Sequence, residues 1–223
     1  MLQTGCLAEA PKEAYVKKSL GPRMLLPAPV WVIGTYDSKG QPNMMTAGWV
    51  GIACSSPPTV SVSVREATAT YENLLSTRAF TVNVPSAANI READFFGMIS
   101  GRGGPKLAAA GIATRKAELV YAPYLEDFPL VLECEMRRSI RIGMHTLITG
   151  EVRDVKAEEG ILGENGLPAM ERLDPVLFMA SDANYYRVRE SLGRTFTLGN
   201  DLLVRLDAAE GGEPDAPPPI FKD

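Results

Sequence analysis

The 223-residue chain has little of what metal centres and disulfide frameworks require. It has one histidine, His145, so a histidine-rich metal site is excluded. Its three cysteines, Cys6, Cys54 and Cys134, are odd in number, lie far apart and form no CxxC pair. That spacing excludes a zinc ribbon and a thioredoxin-like motif and makes a disulfide framework unexpected. Cys54 and Cys134 read as small buried apolar residues. An excess of basic charge is also missing. With 23 Lys and Arg against 27 Asp and Glu, the formal charge is −4, which argues against a broad nucleic-acid surface. No apolar run approaches the roughly 20 residues needed to span a bilayer. The opening stretch, MLQTGCLAEAPKEAY, lacks a basic start followed by an apolar run. No signal peptide is therefore expected, and the cytoplasm is the expected compartment.

Familiar catalytic signatures are missing too. There is no Gly-x-Ser-x-Gly elbow. The glycine-rich loop Gly101–Lys106 fails the dinucleotide pattern, which needs glycine where Lys106 stands, and it fails Walker A, which needs Ser or Thr after the lysine. Glu133 and Glu135 alternate on one strand and so share a face; a solvated strand face is the expected reading, with a pair of catalytic acids as the rival. No internal repeat is visible.

What the chain does contain is ordinary globular material, 45% hydrophobic and 22% charged. Val30–Tyr36 reads as a strand, rich in β-branched and aromatic residues. Asp37-Ser-Lys-Gly40 is a turn, because Asp caps its own backbone and Gly supplies positive φ. A second strand is expected over Met44–Ala53. After Pro57-Pro58, Thr59–Arg65 alternates, with Val60, Val62 and Val64 on one face and Ser61, Ser63 and Arg65 on the other.

Helical spacing predicts helices over Thr68–Ser76 and Asn89–Ile99, with the strand Ala79–Val84 between them. A short helix, Leu107–Ala110, should stop at Gly111. Further strands are expected at Ala113–Val120, Pro129–Arg138, Met144–Lys156 and Val176–Ala180, the middle pair as an antiparallel hairpin, with loop and turn over Glu158–Leu173. Residues 1–20 read as a lead-in, 21–207 as one domain, and 208–223, dominated by Glu, Gly, Pro and Asp, as a mobile tail. Short strands in runs with few helices favour an antiparallel barrel over a doubly wound sheet.

The stretch PVWVIGTYDSKGQPNMMTAGW, the SSPPTVSVSVR strand with TYENLLSTRAFTVNVP after it, the Gly143–Val152 segment and the final LFMASDANYYRV stand in an order that resembles the flavin-reductase-like, FMN-binding split-barrel family. The resemblance spans roughly Leu25 to Arg187. Within the family the pattern is nearest to its FMN-carrying electron-transfer members. It implies a mainly β, antiparallel Greek-key split β-barrel with peripheral helices, a homodimer, and FMN near the subunit interface. It also implies electrons arriving from NAD(P)H or a redox protein and leaving to an unknown acceptor, with no nucleic acid or membrane involved. Two alternatives stay open: a reductase that supplies reduced FMN to a partner, and a barrel that has kept the fold as a binding module without the cofactor.

The candidate site residues each have a plainer reading. Asn43 offers a donor and an acceptor to a ring edge, or is a turn asparagine. Trp49 packs on the isoalloxazine, or is a core tryptophan. Ser63 and Arg65 share a polar strand face, and Thr68 opens the next helix, where N–H groups and partial positive charge suit a phosphate. Capping alone would also explain Thr68. The resemblance places Thr70 nearer the ring and Thr46, more weakly, in the same pocket. It brings Lys106 to the flavin, where a cation favours the anionic reduced form; the plain reading is a solvated lysine. His145 is a donor to the flavin or a nicotinamide, or a structural histidine. Phe178 is an apolar wall, or core. The bulky Met44-Met45 pair suits a tightly held flavin better than an exchanging one. No side chain is assigned as a covalent catalyst and no metal is expected.

Overall fold

The computed structural model of the protein describes residues 17–101 and 106–203. The expected tail at 208–223, most of the lead-in and the interior of the glycine-rich loop lie outside these residues. In chain order the strands are β1 (Pro27–Pro29), β2 (Trp31–Tyr36), β3 (Pro42–Ala47), β4 (Val50–Ser55), β5 (Pro58–Arg65), β6 (Ala79–Val84), β7 (Thr114–Lys116), β8 (Pro123–Leu125), β9 (Leu130–Ile142), β10 (His145–Ala157), β11 (Val176–Met179) and β12 (Asn184–Arg187). The helices are α1 (Ala69–Thr77), α2 (Ile90–Met98), α3 (Lys106–Ala110) and α4 (Met170–Leu173).

Seven strands form one antiparallel sheet in the order β3-β2-β6-β9-β10-β5-β4. Its two edges, β3 and β4, are joined by only Gly48 and Trp49. Opposite edges linked by so short a connection force the sheet to curl until they nearly meet. The result is the antiparallel split barrel, with a seam between β3 and β4 where no ladder forms. One bond spans the neighbourhood of the seam: the Ser63 N–H donates to the Trp49 carbonyl at 2.8 Å. The expected single strand over Met44–Ala53 is therefore two strands, broken at Gly48-Trp49, and the break creates the seam.

The alternating β5 behaves as its pattern dictates. Val60, Val62 and Val64 enter the barrel core with Ile33, Phe80, Val82, Met136 and Ile148. A second apolar cluster lies outside the barrel, where α2, through Ala93 and Phe96, packs against Val32, Met44 and Val176. The β9–β10 hairpin is longer than the sequence suggests, because its far end is exposed and carries no core-facing pattern. The expected strand over Ala113–Val120 shrinks to β7, paired only with β8.

Strand β12 has no counterpart in the sequence reading. All its residues are exposed, so no apolar alternation marks it, yet it pairs with β11 beside β1. Helix α4 likewise interrupts the stretch expected to be loop and turn.

Glu133 corrects another expectation. It is 0 % exposed, not solvated. Its carboxylate accepts from the Glu118 and Leu119 N–H groups at 3.1 and 2.7 Å, and Lys156 Nζ lies 3.4 Å away. A buried carboxylate must be satisfied in this way, and here it anchors the segment leading to β8. Of the two free cysteines described, Cys134 is buried as expected, and burial pushes its thiol up to about 12. Cys54, on the outer strand β4, is exposed.

Candidate functional site

A cavity of about 520 Å3 opens along the barrel seam. One wall is the end of β3 and the Gly48-Trp49 link. The second is the end of β5, the turn after it and the start of α1. The third is the C-terminal end of α2 with Gly101 and Lys106, and His145 closes the rim from β10. The structure thus brings together Thr46, Trp49, Ser63, Arg65, Thr68, Thr70, Lys106 and His145 from distant parts of the sequence. Its size falls in the range of small-molecule and cofactor sites, about 300–1,000 Å3.

Register and helix geometry place the polar groups. Arg65 and His145 sit directly opposite each other on β5 and β10, and Ser63 faces Leu147 one step along the same face. Beyond Arg65 the chain turns tightly, with the Thr68 N–H and hydroxyl both donating to the Arg65 carbonyl at 3.0 and 2.8 Å. Thr68 then caps α1 by accepting from the Tyr71 N–H at 3.2 Å. Capping is thus real, and it orients the helix tip. The first-turn amides of Ala69 and Thr70 have no acceptor within the helix and border the cavity, which gives the wall its positive end.

Lys106 is the strongest electrostatic feature. Only 6 % exposed, it is buried rather than solvated. Its Nζ donates to the Ile99 carbonyl at 3.4 Å, and among the described residues no carboxylate pairs with it. Burial holds its ammonium well below the ordinary lysine range, at about 8. A cation kept at such a cost beside a cavity is a mark of anion binding. No carboxylate appears among the described lining residues. Trp49, 41 % exposed, is not a core tryptophan; it lines the seam cavity together with Met45.

Two expected contacts fall outside this cavity. Phe178 lies behind it, packed on the outer apolar cluster and on Tyr185, whose ring centroid is 5.9 Å away. Gly48 separates it from the seam: a Cβ there would sit 3.6 Å from the Phe178 ring. Asn43, 7 % exposed, lies behind Thr70 and borders a second, polar cavity that meets the first at Ala69 and Gly101.

The Met44-Met45 pair splits. Met44 is buried among the outer cluster, and only Met45 reaches the cavity, as strand alternation requires. Sequence reading missed the α2 wall of Phe96, Gly97 and Ser100. Gly97 packs on Thr46, where a Cβ would stand 3.4 Å from the Thr46 Cβ, at ordinary contact distance, so no sequence signal marked this wall. The Thr46 hydroxyl, donating to the Ala93 carbonyl, fastens α2 to β3.

Among the described residues no cluster of His, Cys, Asp and Glu could hold a metal, and no helix is long and apolar enough to cross a membrane. The donor set suits a phosphorylated, flat, partly apolar ligand. It offers a helix tip with Arg65 for a phosphate, Trp49 and Met45 for a ring face, and Lys106 and Thr70 for polar edges.

The sequence profile for the "Flavin reductase like domain" matches residues 23–186. The structure is similar to that of flavoredoxin from Desulfovibrio vulgaris (Miyazaki F), with 42% identity and a TM-score of 0.79, over 82% of this chain and 100% of that one. It is also similar to flavoredoxin from Methanosarcina acetivorans, with 28% identity and a TM-score of 0.78, over 85% of this chain and 100% of that one. Among curated relatives, a flavin reductase (NADPH) of Lentzea aerocolonigenes is 29% identical over 139 residues, 61% of this chain and 78% of the relative.

Proposed function

The chain belongs to the flavin reductase like family, and from that premise we propose that the seam cavity holds FMN and that the protein is a flavoredoxin-like oxidoreductase. The observation that carries this reading is the buried Lys106 ammonium, with no carboxylate partner among the described residues, at a cavity of cofactor size that the tip of α1 also lines. The Arg65 side chain and the first amides of α1 take the phosphate, with Ser63 and Thr68 along the ribityl chain. Trp49 lies against the ring, and Thr46, Thr70, Lys106 and His145 meet its edges. When bound, the flavin supplies the two-electron chemistry, taking electrons from NAD(P)H or a redox protein and passing them on. The protein's part is to position the ring, set its electrostatic surroundings and limit water at the seam. An open cavity, rather than one filled by the protein's own side chains, favours this reading over a cofactor-free binding module.

Titration of the apoprotein tests it. FMN should bind, with a change in its visible spectrum, at least about tenfold more tightly than riboflavin, because a charge-assisted phosphate contact is worth about 1.5–3 kcal/mol. Arg65→Ala should lose about tenfold in FMN affinity and little for riboflavin. Equal affinity for FMN and riboflavin would show that the helix tip and Arg65 do not hold the phosphate.

The same fold presents Ile140 and Ile142 on β9, and Met144 in the β9–β10 turn beside them, to solvent. Contiguous exposed apolar groups of this kind mark an interaction surface. The reading given to them is the interface of a homodimer, as expected from the resemblance. Light scattering should give a mass of twice 24.1 kDa, and Ile140→Asp with Ile142→Asp should shift it to the monomer. A monomeric parent protein at micromolar concentration would rule the dimer out.

A further inference from the structure

Asn43 lies one layer behind the cavity wall, and its hydrogen bonds have a direction. It stands opposite Thr35 in the β2–β3 ladder. Its Nδ2 donates to Thr70 Oγ1 at 3.0 Å and, more weakly, to Thr35 Oγ1 at 3.4 Å. Asn73 Nδ2, one turn along α1, also donates to Thr35 Oγ1, at 3.0 Å. All four side chains are buried. Asn43 Oδ1 is buried and has no partner. It lies beneath Gly101, where a Cβ would come within 2.4 Å of it and within 2.8 Å of the Ala69 Cβ. The alternative amide orientation would bury an unpaired NH2 in that place, which costs more than one unmatched carbonyl oxygen.

A threonine hydroxyl has one proton and two acceptor sites. With an acceptor site taken by Asn43 from behind, the Thr70 proton is left for another partner. Among the described residues no hydrogen bond uses that proton, and Thr70 lines the cavity. We infer that Asn43 is a positioning residue: it orients the Thr70 hydroxyl as a donor into the cavity, so that the site selects an accepting edge of the bound ring, a carbonyl or an imine nitrogen. The inference rests on the flavin reading of the cavity. It also reassigns Asn43, expected from the sequence to touch the ring directly, to a role exerted through Thr70.

A double-mutant cycle tests this. Asn43→Asp replaces the donor with an acceptor, so the Thr70 proton turns back toward β3; Thr70→Val removes the hydroxyl with little change of shape. Each should weaken FMN affinity about tenfold and produce the same displacement of the bound flavin's visible band. The double variant should lose no more than either single one, because both break the same contact. Thr70→Ser should restore affinity and band position. Far-UV circular dichroism and thermal melting separate these effects from misfolding. Should Asn43→Asp fail to fold, Asn43→Leu takes its place in the cycle, with the same non-additive result expected.

Losses that multiply to about a hundredfold in the double variant would show independent roles and overturn the inference. So would a Thr70→Val protein with unchanged affinity and spectrum. In either case FMN still binds, and the flavin reading stands. A parent protein that takes up no FMN would remove that reading and the inference with it.

Discussion

Lys106→Met should weaken FMN binding about a hundredfold while leaving the unliganded protein at least as stable as the parent at pH 7. The two effects have opposite signs because they share one cause. The ammonium is buried, donates only to the Ile99 carbonyl among the described groups, and is held at about 8 by desolvation. Without a ligand it costs stability; an anionic ligand offsets that cost. Methionine keeps most of the volume and removes the charge.

The pH dependence follows from the same group. Its folded value, about 8, lies below the ordinary 10.5, so the folded state binds the proton less well than the unfolded state does. The penalty is fully present below pH 8 and is relieved between about 8 and 10.5, so this group makes stability rise with pH across that window. FMN affinity should do the reverse, falling as pH passes about 8 and the charge is lost. In Lys106→Met both contributions should vanish. Calorimetry at pH 7 and 9 reads them together. An affinity that is independent of Lys106 at both pH values would place the flavin elsewhere.

Gly34→Ala should cost about 3 kcal/mol, near the upper end for overpacking, and lower the melting temperature by about 10 °C. β2 crosses under β8 with no room for a side chain. A Cβ on Gly34 would lie 2.2 Å from the Pro123 carbonyl oxygen and 2.4 Å from Thr81 Oγ1. Neither can yield cheaply. The first is backbone; the second donates to that same carbonyl at 2.5 Å and accepts from Asn83 Nδ2 at 3.0 Å. The Asn83 Oδ1 in turn accepts the Leu125 N–H at 2.8 Å, so the network fastens β8 to the sheet. Thermal melts of the variant check this, and a shift below about 2 °C would show that β8 is not seated on Gly34. The cavity lies on the opposite side of β3, so FMN affinity per folded molecule should change little.

The barrel's strands were legible where burial imposes a period. Val60, Val62 and Val64 alternate because every second side chain must enter the core, and β6 and the start of β9 are marked for the same reason. β12 was silent because nothing on it is buried. The break at Gly48-Trp49 was hidden because both flanking segments look like strand; only the closure of the sheet separates them. Polar site residues were nominated by type and by resemblance, and folding gathers Thr46, Trp49, Arg65, Thr70, Lys106 and His145 at one seam. Two properties of that seam are not local in sequence. One is the burial of Lys106, which depends on where α2 and Gly101 lie. The other is the position of Asn43, which shares a strand face with the cavity-lining Met45 yet is covered by Thr70 from α1. Phe178 was a fair candidate by type, but Gly48 intervenes.

A crystal structure of the protein saturated with FMN tests the central claim most directly. The account predicts the phosphate at the tip of α1 beside Arg65, the ring along the seam against Trp49, and an edge of it within hydrogen-bonding reach of Thr70 and Lys106. A flavin bound elsewhere on the barrel, or a seam with no flavin at saturating FMN, would contradict it.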